Sequence, residues 1–380
     1  MIKDEFLQEC YDKLAAYMRL LEKRTAYKTD KMTAFAPAEG LYDAFWPDDF
    51  TFPIAGLPES LTKEAYQSIY DFLTDSILDL PCVPDRVQFD GCPIMQPGAA
   101  TIGSAHGDKI PAHLPSAWVR LLCYFRDYGV QLHNKKGWFK LIKRSYEQVS
   151  FACGLVYIDV QRPHVAFAYN DSAAITGMEF MCSVVNMRGF ERGLELFADV
   201  IDEETKAEWQ KKIEGINNNL WRLYDEKKGG YIAGSQTCKQ LHIWANGLLY
   251  GRMDGEKKER LGKTFVSLSD KIFYRGCTRQ MSEAEGWERM LVDMPVDFYM
   301  NGGWWATGTG YVIQAVYETD KALGKKLLTE LIEELPKFNY AEWVNKQGQE
   351  SLAKYFHMSI GMPLTAIKAM LEGSSLIEKF

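Results

Sequence analysis

Carboxylates set among aromatic rings are the features of this sequence best suited to chemistry. The run Phe45-Trp46-Pro47-Asp48-Asp49-Phe50-Thr51-Phe52-Pro53 places two adjacent acids among four rings. One reading is structural: a capped turn before a helix, with Asp as the N-cap. The other is a sugar site. Trp46 would stack on the apolar face of a pyranose, Asp48 would grip hydroxyls, and Asp49 would protonate a leaving oxygen. Like charges in apolar surroundings raise one pKa, as a general acid at neutral pH requires.

Four further stretches share this character. Val83-Pro84-Asp85-Arg86-Val87-Gln88-Phe89-Asp90-Gly91 is either a surface turn with an Asp–Arg pair or a wall in which Arg86, Gln88 and Asp90 meet sugar hydroxyls. In Ala168-Tyr169-Asn170-Asp171-Ser172, Asp171 is a helix N-cap, a catalytic acid, or both, with Tyr169 beside it. Phe298-Tyr299-Met300-Asn301-Gly302-Gly303-Trp304-Trp305 joins a Gly-Gly turn, which permits positive φ and close backbone approach, to a platform of paired tryptophans and Asn301. It is not a phosphate loop, because no lysine follows the glycines. Tyr340-Ala341-Glu342-Trp343-Val344-Asn345 holds one carboxylate between aromatics, either a solvated turn residue or a general base. Lesser candidates are His242 with Trp244 and Asn246, and Glu283 with Glu285 and Trp287. A lone histidine in an apolar helix more often satisfies a core hydrogen bond.

The elements that must position these groups follow from periodicity. Phe6, Cys10, Leu14, Met18 and Leu21 share one helical face, as do Tyr66, Ile69, Leu73 and Ile77, with Ser60 and Glu64 as the start signal of the second helix. Further helices are predicted over 114–130, 137–155, 171–187, 203–225, 238–252, 255–274, 305–318, 320–335 and 356–372. Segments apolar on all sides alternate with one-sided, Lys/Glu-rich ones, and a helix apolar all round is buried all round. The simplest architecture is an inner ring of helices wrapped by an outer one. About twelve helices in six hairpins would form an all-α (α/α)6 toroid over residues 1–380 as one domain. A helical solenoid also stacks hairpins but should show a fixed period, which is absent. The loops 28–58, 81–113 and 274–304 are too long for plain connections. A small excursion is expected at Gly229-Gly230-Tyr231-Ile232.

Composition narrows the function. The 380 residues are 47% hydrophobic and 13% aromatic, enough for a large core. The net charge of -7 and the mixing of lysines with acids argue against nucleic acid as a partner. The eight cysteines have no CxxC spacing, and Cys10, Cys123, Cys153 and Cys182 read as small buried hydrophobes. No Cys/His pattern suggests a metal, and no cofactor motif occurs. The Met1-Ile2-Lys3-Asp4-Glu5 start runs into an amphipathic helix with no signal-like apolar region and no membrane span, so the expected location is cytoplasmic, or periplasmic had a leader been trimmed.

Taken together, these stretches resemble the six-hairpin glycosidase superfamily, above all bacterial members with a Trp-x-Arg-Asp-Phe loop, a Pro-Asp-Arg-Val-x-x-Asp-Gly loop and an Asn-Gly-Gly-x-Trp-Ala-Thr loop. The matching positions are Trp46 to Phe50, Pro84 to Gly91 and Asn301 to Thr307, in the same order. The resemblance spans about residues 40 to 370. It implies a toroid whose mouth carries a mid-chain acid and a C-terminal base, which points to Asp171 as acid and Glu342 as base, with Asp49 a rival acid or a substrate-binding residue. Asp48 stands where the relatives carry arginine, so the resemblance implies a more acidic mouth and a different sugar preference. Gly308 stands where they often carry proline.

The implied activity is an exo-acting, inverting glycoside hydrolase removing a terminal sugar from an oligosaccharide or other glycoside. Its two carboxyls would lie roughly 6.5–9.5 Å apart. A sugar epimerase on the same toroid would instead need two facing histidines, for which only His242 and His357 sit in plausible helical contexts. A non-catalytic carbohydrate-binding toroid would have its acids paired off by Arg or Lys. The sequence sets neither the sugar nor the oligomeric state.

Overall fold

The computed structural model describes residues 4–30, 32–97 and 109–380. The first three residues and part of the expected loop 81–113 lie outside the described residues. Helices dominate. In chain order they are α1 (Glu5–Thr25), α2 (Pro47–Gly56), α3 (Lys63–Ile77), α4 (Leu114–Asp127), α5 (Lys135–Tyr146), α6 (Phe180–Leu196) and α7 (Glu203–Asn219). They continue with α8 (Ile243–Tyr250), α9 (Gly255–Ser267), the single turn α10 (Ser269–Ile272), α11 (Ala306–Thr319), α12 (Lys321–Glu334) and α13 (Met358–Leu371).

Two kinds of helix alternate. α2, α4, α6, α8, α11 and α13 are buried over most of their surface. α7 buries only Thr205, Trp209 and Ile216, and α9 only Leu261, Gly262 and Phe265. The buried set packs in sequence: α2 on α4, α4 on α6, α6 on α8, α8 on α11, α11 on α13, and α13 back on α2. The amphipathic helices lie against it. α3 and α5 pack on α4, α7 on α6, α9 on α8 and α11, α12 on α11, and α1 on α12 and α13.

Local chemistry sets the boundaries. Asp4, Thr62, Asp202 and Asp320 accept a backbone N–H of the first turn of α1, α3, α7 and α12 respectively, each such cap contributing about 1 kcal/mol. Along α1, Leu7, Cys10, Leu14, Met18 and Leu21 form the buried stripe, each large apolar side chain contributing roughly 1.5–3 kcal/mol by leaving water. Close approach in the buried set depends on glycine. A Cβ on Gly247 of α8 would meet the Tyr311 carbonyl of α11 at 2.5 Å, and one on Gly361 of α13 would meet the Pro53 nitrogen of α2 at 2.8 Å. Gly308, in the first turn of α11, likewise faces the Trp244 indole.

Several expectations need correction. The loop 28–58 contains the helix α2. It escapes periodicity analysis because nine of its ten residues are buried and Pro53 interrupts it. The cap of α3 is Thr62, not Ser60. Residues 171–178 are not helical: a buried loop runs into the short strand Gly177–Met178, paired with Tyr157–Ile158, before α6, whose N-cap is Glu179. Apolar residues in a buried loop gave the same pattern as a buried helix. The expected helix 137–155 ends at Tyr146 and is followed by the paired strands 151–152 and 155–158. Cys153 is exposed in the turn between them with φ +52°. The strand Gly230–Tyr231, paired with Tyr224–Asp225, forms the excursion at Gly229–Ile232. No described helix is long and apolar enough to cross a membrane.

Candidate active site

Segments within 41–49, 85–97, 113–114, 168–171, 294–299 and 342–356 meet at one cavity of about 600 Å³, within the range of small-molecule sites. The short antiparallel sheet of Ala44–Phe45, Arg86–Gln88 and Pro93–Ile94 forms one wall. Its register sets Ala44 against Gln88 and Phe45 against Val87. The chain then turns at Trp46, the N-cap of α2, so that Asp48 and Asp49 occupy the first helical turn. The 3-10 turn 168–170 supplies Tyr169 and hands on to Asp171. The loop before α11 adds Met294, Phe298 and Tyr299, and the turn before α13 adds Glu342.

Asp48 and Asp49 are neighbours with different surroundings. Asp48 points into the protein, where Arg120 bonds to Oδ1 and His113 Nε2 lies 2.8 Å from Oδ2. Burial pushes its carboxyl up, but Arg120 and His113 outweigh that and hold it below the usual carboxylate range. Arg120 is itself buried between the rings of Phe52 and Phe380. Asp49 instead accepts a 2.5 Å hydrogen bond from the Tyr169 hydroxyl. Burial pushes it up to about 7, with the charges of Asp48 and Asp85 adding to the rise.

Glu342 is the second strongly shifted acid. Its Oε2 accepts from Ser351 Oγ at 3.0 Å, and both carboxylate oxygens lie 3.3 Å from the Tyr42 hydroxyl. Burial lifts it to about 8; the negative charges of Asp49 and Asp171 raise it further, and the two hydroxyls oppose the rise. These couplings place the three acids around one space. Asp85 is also buried and raised to about 6 by desolvation, but it is engaged by Arg86 at 3.0 Å and by the Trp46 indole at 3.1 Å.

Of the residues singled out in the sequence, Trp46, Asp48, Asp49, Arg86, Gln88, Tyr169, Asp171 and Glu342 line the cavity. Six do not. Asp90 is exposed in a turn, where its carboxylate accepts the Cys92 N–H. His242 caps α8 and bonds Asn170 through Nε2; burial lowers it to about 3, so it is neutral. Trp244 stacks on Tyr311 in the core, 5.4 Å between centroids. Asn301 ties its own loop together, accepting the Trp287 N–H and donating to the Met294 carbonyl. Trp304 packs under Tyr274 and Arg279. Trp305 supports Tyr299 from behind and donates to its carbonyl. The expected tryptophan platform is therefore a foundation, and Tyr299, at φ +43°, is the ring presented to the cavity.

Sequence reasoning missed Tyr42 and His113, and Arg120 behind the wall, and passed over Tyr299 within the run 298–305 in favour of its tryptophans. No local signal marks the first three: Arg120 sits in an apolar helix and Tyr42 in a loop, and only the fold brings them to the acids. Asp48 itself is paired with Arg120 from α4 and with His113.

Comparison with known proteins agrees with this architecture. No protein-family model matches the chain, and no curated protein matches it in sequence. Solved structures do. A mannosylglycerate hydrolase of glycoside hydrolase family 63 from Thermus thermophilus, in complex with glucose, superposes with a TM-score of 0.62 at 12% identity, covering 93% of this chain and 99% of that one. An uncharacterized conserved protein from the same organism gives 0.61 at 14% identity with the same coverage. A wild-type glycosidase gives 0.60 at 12% identity, covering 96% and 98%. The chain therefore shares the fold of solved glycosidases.

Proposed function

We propose that this chain is an exo-acting glycoside hydrolase and that the closed sequence of α2, α4, α6, α8, α11 and α13, with its outer helices, is one (α/α)6 toroid domain. One observation carries the reading: Asp49, Asp171 and Glu342, far apart in sequence, meet in a single aromatic-walled cavity, and Asp49 and Glu342 are held there by hydroxyls rather than by cations. The likeness to solved glycosidases supports the same reading at the level of fold.

In this proposal Asp171 is the acid and Glu342 the base of an inverting reaction. Asp171 gives its proton to the glycosidic oxygen as the bond to the anomeric carbon breaks. Glu342 takes a proton from the water that attacks the opposite face. The products are the free sugar and the alcohol of the leaving group. The charges of Asp49 and Asp171 both raise Glu342. Hydrogen bonds from Tyr42 and Ser351 favour the Glu342 anion that the base role requires. Asp49, which accepts the hydrogen bond of the Tyr169 hydroxyl at Oδ1, holds substrate hydroxyls or takes the acid role instead. Trp46, Tyr299 and Phe298 offer faces to the sugar.

The epimerase alternative needs two histidines at the cavity. His242 is a helix cap, and His357 is buried against Phe35 and Thr25. His113 is the sole histidine among the described lining residues, and it is engaged by Asp48.

The test is a panel of α- and β-glycosides assayed with wild type, Asp49→Asn, Asp171→Asn and Glu342→Gln. Asp171→Asn and Glu342→Gln should each lose about 10²–10⁴-fold in turnover, the usual worth of a positioned acid or base. Equal activity in all four proteins would remove the assignment.

A further inference from the structure

Resting on the reading of Asp49 as a working acid of the proposed reaction, we infer that Gln280 is a positioning residue of this site: its buried carboxamide holds the Tyr169 turn against Asp49 and ties that turn to the loop carrying Tyr299. Gln280 stands behind the residues that line the cavity and is 2% exposed. Its Nε2 donates to the Tyr169 carbonyl and lies 3.3 Å from Met300 Sδ. The Tyr169 hydroxyl in turn bonds Asp49. Met300 directly follows Tyr299, whose ring lines the cavity at φ +43°. One side chain thus grips the backbone of one cavity tyrosine and the chain neighbour of the other.

The grip is firm because Gln280 is itself anchored. Its carbonyl accepts the Ile243 N–H of α8 at 2.8 Å. Two residues earlier, Thr278 exchanges backbone hydrogen bonds with Trp305 at 2.9 and 3.1 Å. Between them, Arg279 Nη2 lies 3.2 Å from Asp297 Oδ1, two residues before Tyr299. The strip 278–280 therefore fastens the loop 297–305 from behind at Trp305, Asp297 and Met300. Asn170, which follows Tyr169, is held by the same end of α8, its Nδ2 3.0 Å from His242 Nε2.

The carboxamide's orientation follows from its partner. A carbonyl only accepts, so the NH2 must face Tyr169, and Oε1 is left buried with no hydrogen-bond partner. An orphaned buried acceptor is destabilising, and a core position that asks only for volume is filled better by Met or Leu. What glutamine adds is the donor. Without it the buried Tyr169 carbonyl loses that partner, and the turn shifts toward another, drawing the phenol off Asp49.

The test reads Asp49 directly and does not depend on turnover. Wild type, Gln280→Met, Tyr169→Phe and the double variant, each with carboxyl-labelled aspartate, are titrated by carbon NMR, with Asp49→Asn assigning the resonance. Tyr169→Phe removes a hydrogen bond that favours the Asp49 anion. The Asp49 midpoint, about 7 in wild type, should then rise by about one to two pH units. Gln280→Met should raise it by at least about half a pH unit and add nothing in the Tyr169→Phe background, because Gln280 acts through Tyr169. Gln280→Asn, which keeps the amide but withdraws it by one methylene, should shift the midpoint in the same direction. An unmoved midpoint in Gln280→Met overturns the inference. So does an equal rise with and without the Tyr169 hydroxyl, which marks general loosening, and so does a failure of both Gln280 variants to fold, which makes the residue purely structural. A wild type that hydrolyses no glycoside overturns the proposed function instead, and the titration still decides the inference.

Discussion

Asp48 and Asp49 occupy the same turn of α2, and both are deep in the protein, yet they differ in every respect that matters for chemistry. Asp48 is neutralised by Arg120 and His113 and has become part of the framework. Asp49, one residue on, faces the cavity, meets only a tyrosine hydroxyl and is raised to about 7. Asp85 and Glu342 repeat the contrast, one held by Arg86, the other by Tyr42 and Ser351. Burial alone does not distinguish a reactive acid from a structural one. The partner does, because a cation fixes the charged form while a hydroxyl leaves the proton free to move.

The largest effect should come from breaking the structural pair. Arg120→Met leaves the Asp48 carboxylate buried without its main partner, which should cost about 3–5 kcal/mol in denaturant unfolding. A loss below about 1 kcal/mol would mean that Asp48 is neutral in the native state and that the contrast with Asp49 is mistaken.

Next is Glu342→Gln, read as stability against pH. Glu342 binds its proton more tightly folded than unfolded, with a native value of about 8 against an ordinary 4.5. Its contribution is therefore fully present below about pH 4.5 and is lost as pH rises through 8. Relative to wild type, the variant should gain Tm as pH rises from about 4.5 to about 8 and level off above that. A constant difference across that range would show that Glu342 is not perturbed by burial.

The smallest effect sharpens the contrast rather than testing it to destruction. Tyr42→Phe removes a donor to the Glu342 anion. A hydrogen bond to a charged group is worth about 1.5–3 kcal/mol, and 1.36 kcal/mol is one pKa unit. The acidic limb of the pH–rate profile should thus move up by about one to two units, with the alkaline limb in place. An unmoved acidic limb would take Glu342 out of the base role.

The amphipathic helices were legible because one-sided burial writes a 3.6-residue period into the sequence, as in Phe6 to Leu21 of α1 and Leu323 to Leu331 of α12. The fully buried helices were legible only as apolar stretches. Where a buried segment was not helical, at 171–178, or was short and interrupted by proline, at α2, the pattern gave the wrong element. The site shows the same division. Acids beside aromatics drew attention to Asp49, Asp171 and Glu342, whereas the tryptophans of 304–305, equally conspicuous, turned out to carry the wall from behind.

The sequence by itself determined that most of this chain is helix, that buried and amphipathic helices alternate, and which loops concentrate acids and rings. These are properties of residue type and spacing, and they act within a few turns. Tertiary structure alone decided that Arg120 reaches Asp48 across 72 residues, that Tyr42 reaches Glu342 across 300, and that Asp49 is left facing the cavity. A carboxylate's charge state depends on what lies within a few ångströms of it, and in this fold those neighbours come from distant parts of the chain.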